Sequence, residues 1–145
     1  MDYISLETIL SRGEIISPRV LYLLLHPLVE CLMELRDNAN VDEKWQLSTD
    51  SIVFSTDFKA IKVLKAGNEV DNIINWGHII LTVVNRVGYN DRRLKAIATD
   101  CVEGNIGTLE ELHLILERRV SRSIYYFLIF IVLMGLAIMA IMNFF

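Results

Sequence analysis

Residues 124–145 read IYYFLIFIVLMGLAIMAIMNFF, and this stretch carries no charge and only one strongly polar residue, Asn143. Twenty-two residues rising about 1.5 Å each extend about 33 Å along a helix, which is enough to cross a hydrocarbon core of roughly 30 Å. A buried core helix of that length would normally show a polar stripe, and none is present. The stretch therefore predicts a membrane-spanning helix.

The residues around this stretch predict its orientation. Arg118, Arg119 and Arg122 directly precede it, and the positive-inside tendency keeps such residues in the cytosol. The opening MDYISLETIL has no basic region of the kind that starts a signal peptide. We therefore expect residues 1–119 to form a cytosolic domain, 120–123 a juxtamembrane linker and 124–145 a tail anchor in the bilayer.

The C-terminal end of the anchor predicts which membrane it enters. An anchor of the mitochondrial outer membrane usually ends in basic residues, and none come after Phe145. This favours the endoplasmic reticulum or another endomembrane, with the mitochondrial outer membrane kept as the alternative.

Composition excludes several classes of protein. The net charge is -4 and the first 71 residues hold twelve acidic against seven basic side chains, which disfavours nucleic acid as a partner. Cys31 and Cys101 lie far apart without CxxC spacing, which agrees with a reducing compartment, and both are predicted to be small hydrophobic residues on helix faces. The three histidines are scattered along the chain. We therefore predict no metal site and no cofactor.

The first forty residues predict helices. Residues 4–11 are expected to form a short helix with Ser5 as its N-cap. Ser17 followed by Pro18 is a strong helix start, and leucines at three- and four-residue spacing continue to about Asp37. Pro27 lies inside this helix and predicts a kink.

The pattern then changes to that of strands. IVF at 52–54 and IKVL at 61–64 predict a short β-hairpin. Helices are predicted at 71–85, which is almost wholly apolar, at 91–102 and at 109–119, where Thr108 and Glu111 have the spacing of a capping box. The predicted fold class is therefore mainly α with one small β-hairpin, followed by one transmembrane helix.

The order of these elements resembles the C-terminal lobe of protein kinases. The opening SLETILSRGEIISPRVLYLLLHPLVECLMEL is similar to the first helices of that lobe, and LSTDSIVFSTDFKAIKVL is similar to its catalytic-loop end and hairpin. NWGHIILTVV and LKAIATDCVEGNIGTLEELHLILERR resemble its central and final helices.

The catalytic positions depart from the kinase pattern. The segment Lys44–Gln46 stands where His-Arg-Asp belongs, Ser51 where the magnesium-binding asparagine belongs, and Lys65–Gly67 where Asp-Phe-Gly belongs. Phosphoryl transfer is not expected, and neither catalytic residues nor a small-molecule substrate are predicted. The same absences and the opening SLETILSRG resemble the kinase non-catalytic C-lobe domain family. That resemblance implies a protein-binding module with a cytosolic partner. A cytoskeletal partner is one expectation, since one member of the family captures a basic tail of an actin-nucleating formin.

A second resemblance leads to a different function. Asn75, Trp76 and Gly77 match the first three residues of the Asn-Trp-Gly-Arg signature of B-cell-lymphoma-type apoptosis regulators, with His78 in place of the arginine. LMELRDN and VEGNIG are similar to two other motifs of that helical, tail-anchored family. The resemblance implies a groove at residues 75–78 that binds an amphipathic death-motif helix.

Under the resemblance to the kinase C-lobe, the candidate binding residues are acidic residues around the end of the second predicted helix. Glu30, Glu34 and Asp37 share one helix face, Asp42 and Glu43 lie in the turn after it, and Trp45 comes just beyond that turn. Acidic side chains beside an exposed tryptophan suit a basic peptide segment of a protein partner. These six residues are the predicted partner-binding site.

Overall fold

A computed structural model describes residues 2–13, 15–38, 44–86 and 91–144, with backbone alone at 119–125. The elements are β1 (Tyr3–Ser5), α1 (Leu6–Ser11), α2 (Pro18–Leu24), α3 (His26–Asp37), β2 (Ile52–Ser55), β3 (Ile61–Val63), α4 (Glu69–Arg86), α5 (Arg92–Val102) and α6 (Leu109–Phe144). The chain is mainly helical with a small sheet, which confirms the predicted class at that level.

The sheet has three strands in the order β1-β2-β3, both pairs antiparallel. The hairpin of β2 and β3 was predicted, but β1 was not. Residues 4 and 5 belong to a strand, with Ile4 opposite Phe54, so the predicted helix at 4–11 begins only at Leu6. Ser5 is nevertheless its N-cap, because its Oγ accepts a hydrogen bond of 3.1 Å from the Thr8 N–H.

The long helix predicted from Pro18 to about Asp37 is two helices. Its start is as expected, with Ser17 accepting a hydrogen bond from the Arg19 N–H and Pro18 in the first turn. At Leu25 the backbone leaves the helical region (φ -85°, ψ -108°), and α3 begins at His26 with Pro27 in its first turn. Pro27 has no N–H to donate and its ring would clash with a carbonyl one turn earlier, so the helix breaks rather than kinks.

The part of the core that decides the helix packing lies where α4 meets α2 and α5. Trp76 of α4 is fully buried, and its indole N–H donates to the carbonyl of Leu24 at the end of α2, at 2.8 Å. Gly77 faces α5 so closely that a Cβ atom there would lie 2.6 Å from the Ala98 carbonyl oxygen. The absence of a side chain at Gly77 therefore sets the distance between α4 and α5.

The start of α6 is capped much as predicted. The Thr108 Oγ1 accepts a hydrogen bond from the Glu111 N–H at 3.2 Å. The Glu111 carboxylate reaches back to the N–H of Gly107, also at 3.2 Å, rather than to that of Thr108. Both bonds satisfy amide groups at the end of a helix that would otherwise lack partners.

The chain divides into two compact units, Met1–His113 and Leu114–Phe145. The backbone of α6 is helical through residues 120–123, where a linker was predicted. Within the second unit, Tyr126–Phe144 is a helix of 19 residues with a mean hydropathy of 2.6 and none of it buried. This confirms a C-terminal apolar helix long enough to cross a membrane.

Candidate partner-binding groove

An open groove runs between α3 and the β2–β3 hairpin, and we call it the α3–β3 groove. Its larger part has a volume of about 410 Å³, and a smaller part of about 260 Å³ continues it toward the end of α3. Cys31, Glu34 and Ile61 line both parts. The two parts share a wall and together extend from Tyr22 of α2 along α3 to Asn38, which suits a peptide segment.

The two walls of the groove differ in charge. Glu30 and Glu34, both exposed, lie on the α3 wall, whereas Lys59 and Lys62, also exposed, lie on the hairpin wall. Between them the Cys31 Sγ contacts the Ile61 carbonyl oxygen at 3.8 Å. Helix α3 therefore approaches the free edge of β3 closely, and the space left open is lined by side chains of opposite charge.

The structure brings together only part of the predicted acidic site. Glu30 and Glu34 line the groove, as their shared helix face predicted. Asp37 is exposed near the end of α3 but is not among the groove-lining residues, and it is paired with Arg36 at 3.0 Å. Asp42 and Glu43 lie outside the described residues.

Arg36 also pairs with two carboxylates besides that of Asp37. Its guanidinium also contacts Glu69 of α4 at 2.9 Å and Glu110 of α6. The hydrogen bond to Glu110 raises the pKa of Arg36, and the same bond lowers the pKa of the Glu110 carboxyl. Glu69 in turn accepts the Leu109 N–H at 2.8 Å, so this network joins three helices of the first unit. Glu34 is then the groove acid with no ion pair among the described residues.

Trp45 lies at a different place from the acidic residues. Its side chain is 43% exposed, with the Lys65 ammonium 5.3 Å from the ring centroid, a cation–π contact. Its carbonyl faces Gly67, where a Cβ atom would lie 2.4 Å from that oxygen. The buried Asn72 side chain holds Gly67 by bonds to both its N–H and its C=O, each 2.9 Å. Trp45 thus packs against the segment that follows β3, at Lys65 and Gly67, and is not among the groove-lining residues.

Residues 75–78, the alternative groove predicted from the second resemblance, do not share one surface. Trp76 and Gly77 are buried in the core, Asn75 is half-buried, and His78 is exposed. The motif residues that are buried therefore stabilise the packing of α4 on α2 and α5.

Three residues around the groove could not be identified from the sequence. Lys59 and Lys62 form its basic wall, and they looked like ordinary hairpin residues. His113 contacts Glu30, with its Nε2 atom 3.5 Å from the carboxylate, although the two are far apart in sequence. The four-residue spacing of His26 and Glu30 was the only local signal of this cluster.

The thiols of Cys31 and Cys101 differ in accessibility, which predicts different rates of alkylation. Burial, followed by Asp100 and Glu111, raises the pKa of the Cys101 thiol to about 12. Burial, and then Glu34 and Glu30, also raise the pKa of Cys31, but Cys31 is only partly buried and lines the groove. At pH 8 we expect maleimide to modify Cys31 at least about 100-fold faster than Cys101, whose reaction requires local unfolding.

Mass spectrometry of the alkylated full-length chain measures both rates. Glu34→Gln should speed the reaction of Cys31, because it removes a negative charge that disfavours the thiolate, and should leave Cys101 unchanged. Equal rates at the two cysteines would contradict the burial of Cys101 and the open groove at Cys31.

The chain was compared with protein families, curated proteins and solved structures. No protein-family model, curated protein or solved structure matches the chain.

Proposed function

We propose that the chain is a single-pass, tail-anchored adaptor that recruits a cytosolic protein to a membrane by binding a basic segment of it in the α3–β3 groove. The observation that carries the proposal is the exposed apolar helix Tyr126–Phe144. A segment of nineteen mostly apolar residues that is not buried within the protein is unfavourable in water, and a bilayer removes that cost. The endoplasmic reticulum or another endomembrane is the proposed location.

The α3–β3 groove supports the binding half of the proposal. It combines apolar surface at Tyr22 and Ile61 with the charge of Glu34 on one wall. A basic segment that carries apolar residues would contact both, since the apolar contacts supply most of the affinity and the charge raises the association rate. The opposing Lys59 and Lys62 would direct the cationic side chains of the segment toward α3.

We also propose that the domain is a degenerate kinase C-lobe without catalytic activity. The hairpin followed by the buried helix α4 supports this reading. The residues at the catalytic positions are engaged in structural contacts: the buried Ser51 hydroxyl bonds to the Ser48 N–H and C=O, at 2.9 and 2.8 Å, and Lys65 lies over Trp45. We do not propose the apoptosis-regulator function, because Trp76 and Gly77 lie in the core rather than at a groove.

Charge reversal at Glu34 tests the groove. Glu34→Lys should reduce capture of a fluorescent Lys/Arg-rich peptide about tenfold at low salt and flatten its salt dependence, since an exposed charge acts mainly on association. Asp37 is left unchanged because it is paired with Arg36. The measurement is fluorescence anisotropy of the peptide with the full chain in lipid nanodiscs, at low and high salt.

A matched control and a second readout complete this test. Glu103→Lys changes the same charge at an exposed residue after α5 and should leave binding unchanged. Bound peptide should also slow the alkylation of Cys31, which lines the groove. If both lysine variants weaken binding equally, or Cys31 is not protected, the peptide does not occupy the α3–β3 groove.

A further inference from the structure

We infer that His26, Glu30 and His113 form a site for one divalent late transition-metal ion, and that Zn²⁺ fits it best. The sequence predicted no metal site because the histidines are scattered, but the fold brings two of the three to one carboxylate. The ligand atoms of the three side chains all lie within 4.8 Å of one another. We call this group the His-Glu-His cluster.

The distances in the cluster suit tetrahedral coordination. The Glu30 Oε1 atom lies 3.2 Å from the His26 Nδ1 and 3.5 Å from the His113 Nε2. Zinc bonds to nitrogen and oxygen of about 2.0–2.1 Å place neighbouring tetrahedral ligand atoms about 3.3 Å apart. Two of the three ligand separations therefore match, and the third, between the two imidazole nitrogens, is at most 4.8 Å.

The fold holds the three ligands from two helices. His26 and Glu30 are four residues apart on α3, so they lie on the same helix face, and their separation is set by the helix itself. His113 lies in the second turn of α6, one turn after Glu110, which is bound by Arg36 of α3. The Arg36 contacts therefore fix the first turns of α6 beside α3, and the imidazole rings are brought to a centroid distance of 4.0 Å.

The ligand set also restricts the class of ion that can bind. Two imidazole nitrogens and one carboxylate oxygen suit zinc and its neighbours, whereas Mg²⁺ and Ca²⁺ require mostly oxygen ligands and more of them. The side chains of His26 and His113 are about one-quarter exposed and that of Glu30 is 58% exposed. Water can therefore occupy the fourth position, as in zinc sites with three protein ligands.

Metal binding would change the α3–β3 groove, a consequence that rests on the proposed function. Glu30 is both a ligand of the cluster and a residue of the groove wall. A bound cation neutralises its carboxylate and leaves Glu34 as the acid of that wall. Zinc should therefore weaken capture of a basic peptide. Zinc binding itself is measured without any peptide, so the metal site and the peptide-binding function can each be disproved separately.

The experiment is a calorimetric titration of Zn²⁺ into the full chain in detergent, prepared without a histidine tag and stripped with a chelator. We expect one ion per chain, and a loss of affinity of at least about tenfold for each of Glu30→Gln, His26→Gln and His113→Gln. His78→Gln alters the remaining histidine, which is exposed on α4 outside the cluster, and should bind as the unaltered chain does. Excess Mg²⁺ should not compete.

Two results would overturn the inference. One is the absence of stoichiometric Zn²⁺ binding to the unaltered chain. This measurement uses no variant, so it does not depend on whether the variants fold. The other is an equal loss of affinity in His78→Gln and His113→Gln, which would indicate adventitious binding to surface histidines. Circular dichroism of each variant verifies its fold, and X-ray absorption of the loaded chain should give two nitrogen ligands from imidazole.

Discussion

Replacing Gly77 by alanine should destabilise the N-terminal unit by about 2 kcal/mol, although alanine normally stabilises the interior of a helix by about 1 kcal/mol over glycine. The added Cβ atom would lie 2.6 Å from the Ala98 carbonyl oxygen and 2.9 Å from the Val102 Cγ2. The first of these is backbone, so relief requires α4 and α5 to move apart. Gly77→Leu should prevent stable folding.

Denaturant unfolding of the full chain in detergent measures this effect. With Trp45→Phe as the common background, fluorescence of the buried Trp76 follows the N-terminal unit, because its environment changes only when the core opens. Gly107→Ala is the matched control: a Cβ atom there meets nothing within 4 Å, so stability should change by less than about 0.5 kcal/mol. A stabilising Gly77→Ala would contradict the close packing of α4 on α5.

Deleting residues 126–144 should move the protein almost completely from the membrane pellet to the supernatant. An apolar helix of 19 residues gains on the order of 5–10 kcal/mol on insertion, which leaves almost no free population. Changing both Leu133 and Leu136 to arginine should have a similar effect without shortening the chain, since each central arginine costs about 3 kcal/mol.

The measurement is carbonate extraction of membranes from cells that express each form. Changing the same two leucines to alanine is the control, and this form should stay in the pellet. A truncated chain that still pellets with membranes after extraction would mean that another part of the protein holds it there.

Local sequence signals predicted most of the helices and the hairpin. The pair Ser17 and Pro18 marked the start of α2, because a hydroxyl cap and a proline in the first turn act within a few residues. Strand β1 could not be found in the same way. It has three residues, and its pairing with β2 depends on contacts across about fifty residues of sequence. The break at Leu25 was predicted as a kink, since a proline signal locates a disruption but not its extent.

The candidate site was predictable only along α3. Helix periodicity correctly placed Glu30 and Glu34 on one face, but it gave no information on their partners. Whether an acid has a side-chain partner depends on residues from other elements, such as His113 beside Glu30. The basic wall of the groove and the His-Glu-His cluster both arise from this kind of long-range contact.

The central claim is that the chain crosses the membrane once, with its N-terminal domain in the cytosol. Glycosylation mapping in microsomes tests it most directly: an Asn-X-Ser/Thr acceptor site is added on a short tail after Phe145 in one form and before Met1 in another. We predict that the C-terminal site is glycosylated and the N-terminal site is not. Glycosylation of the N-terminal site, or of neither site, would contradict the claim.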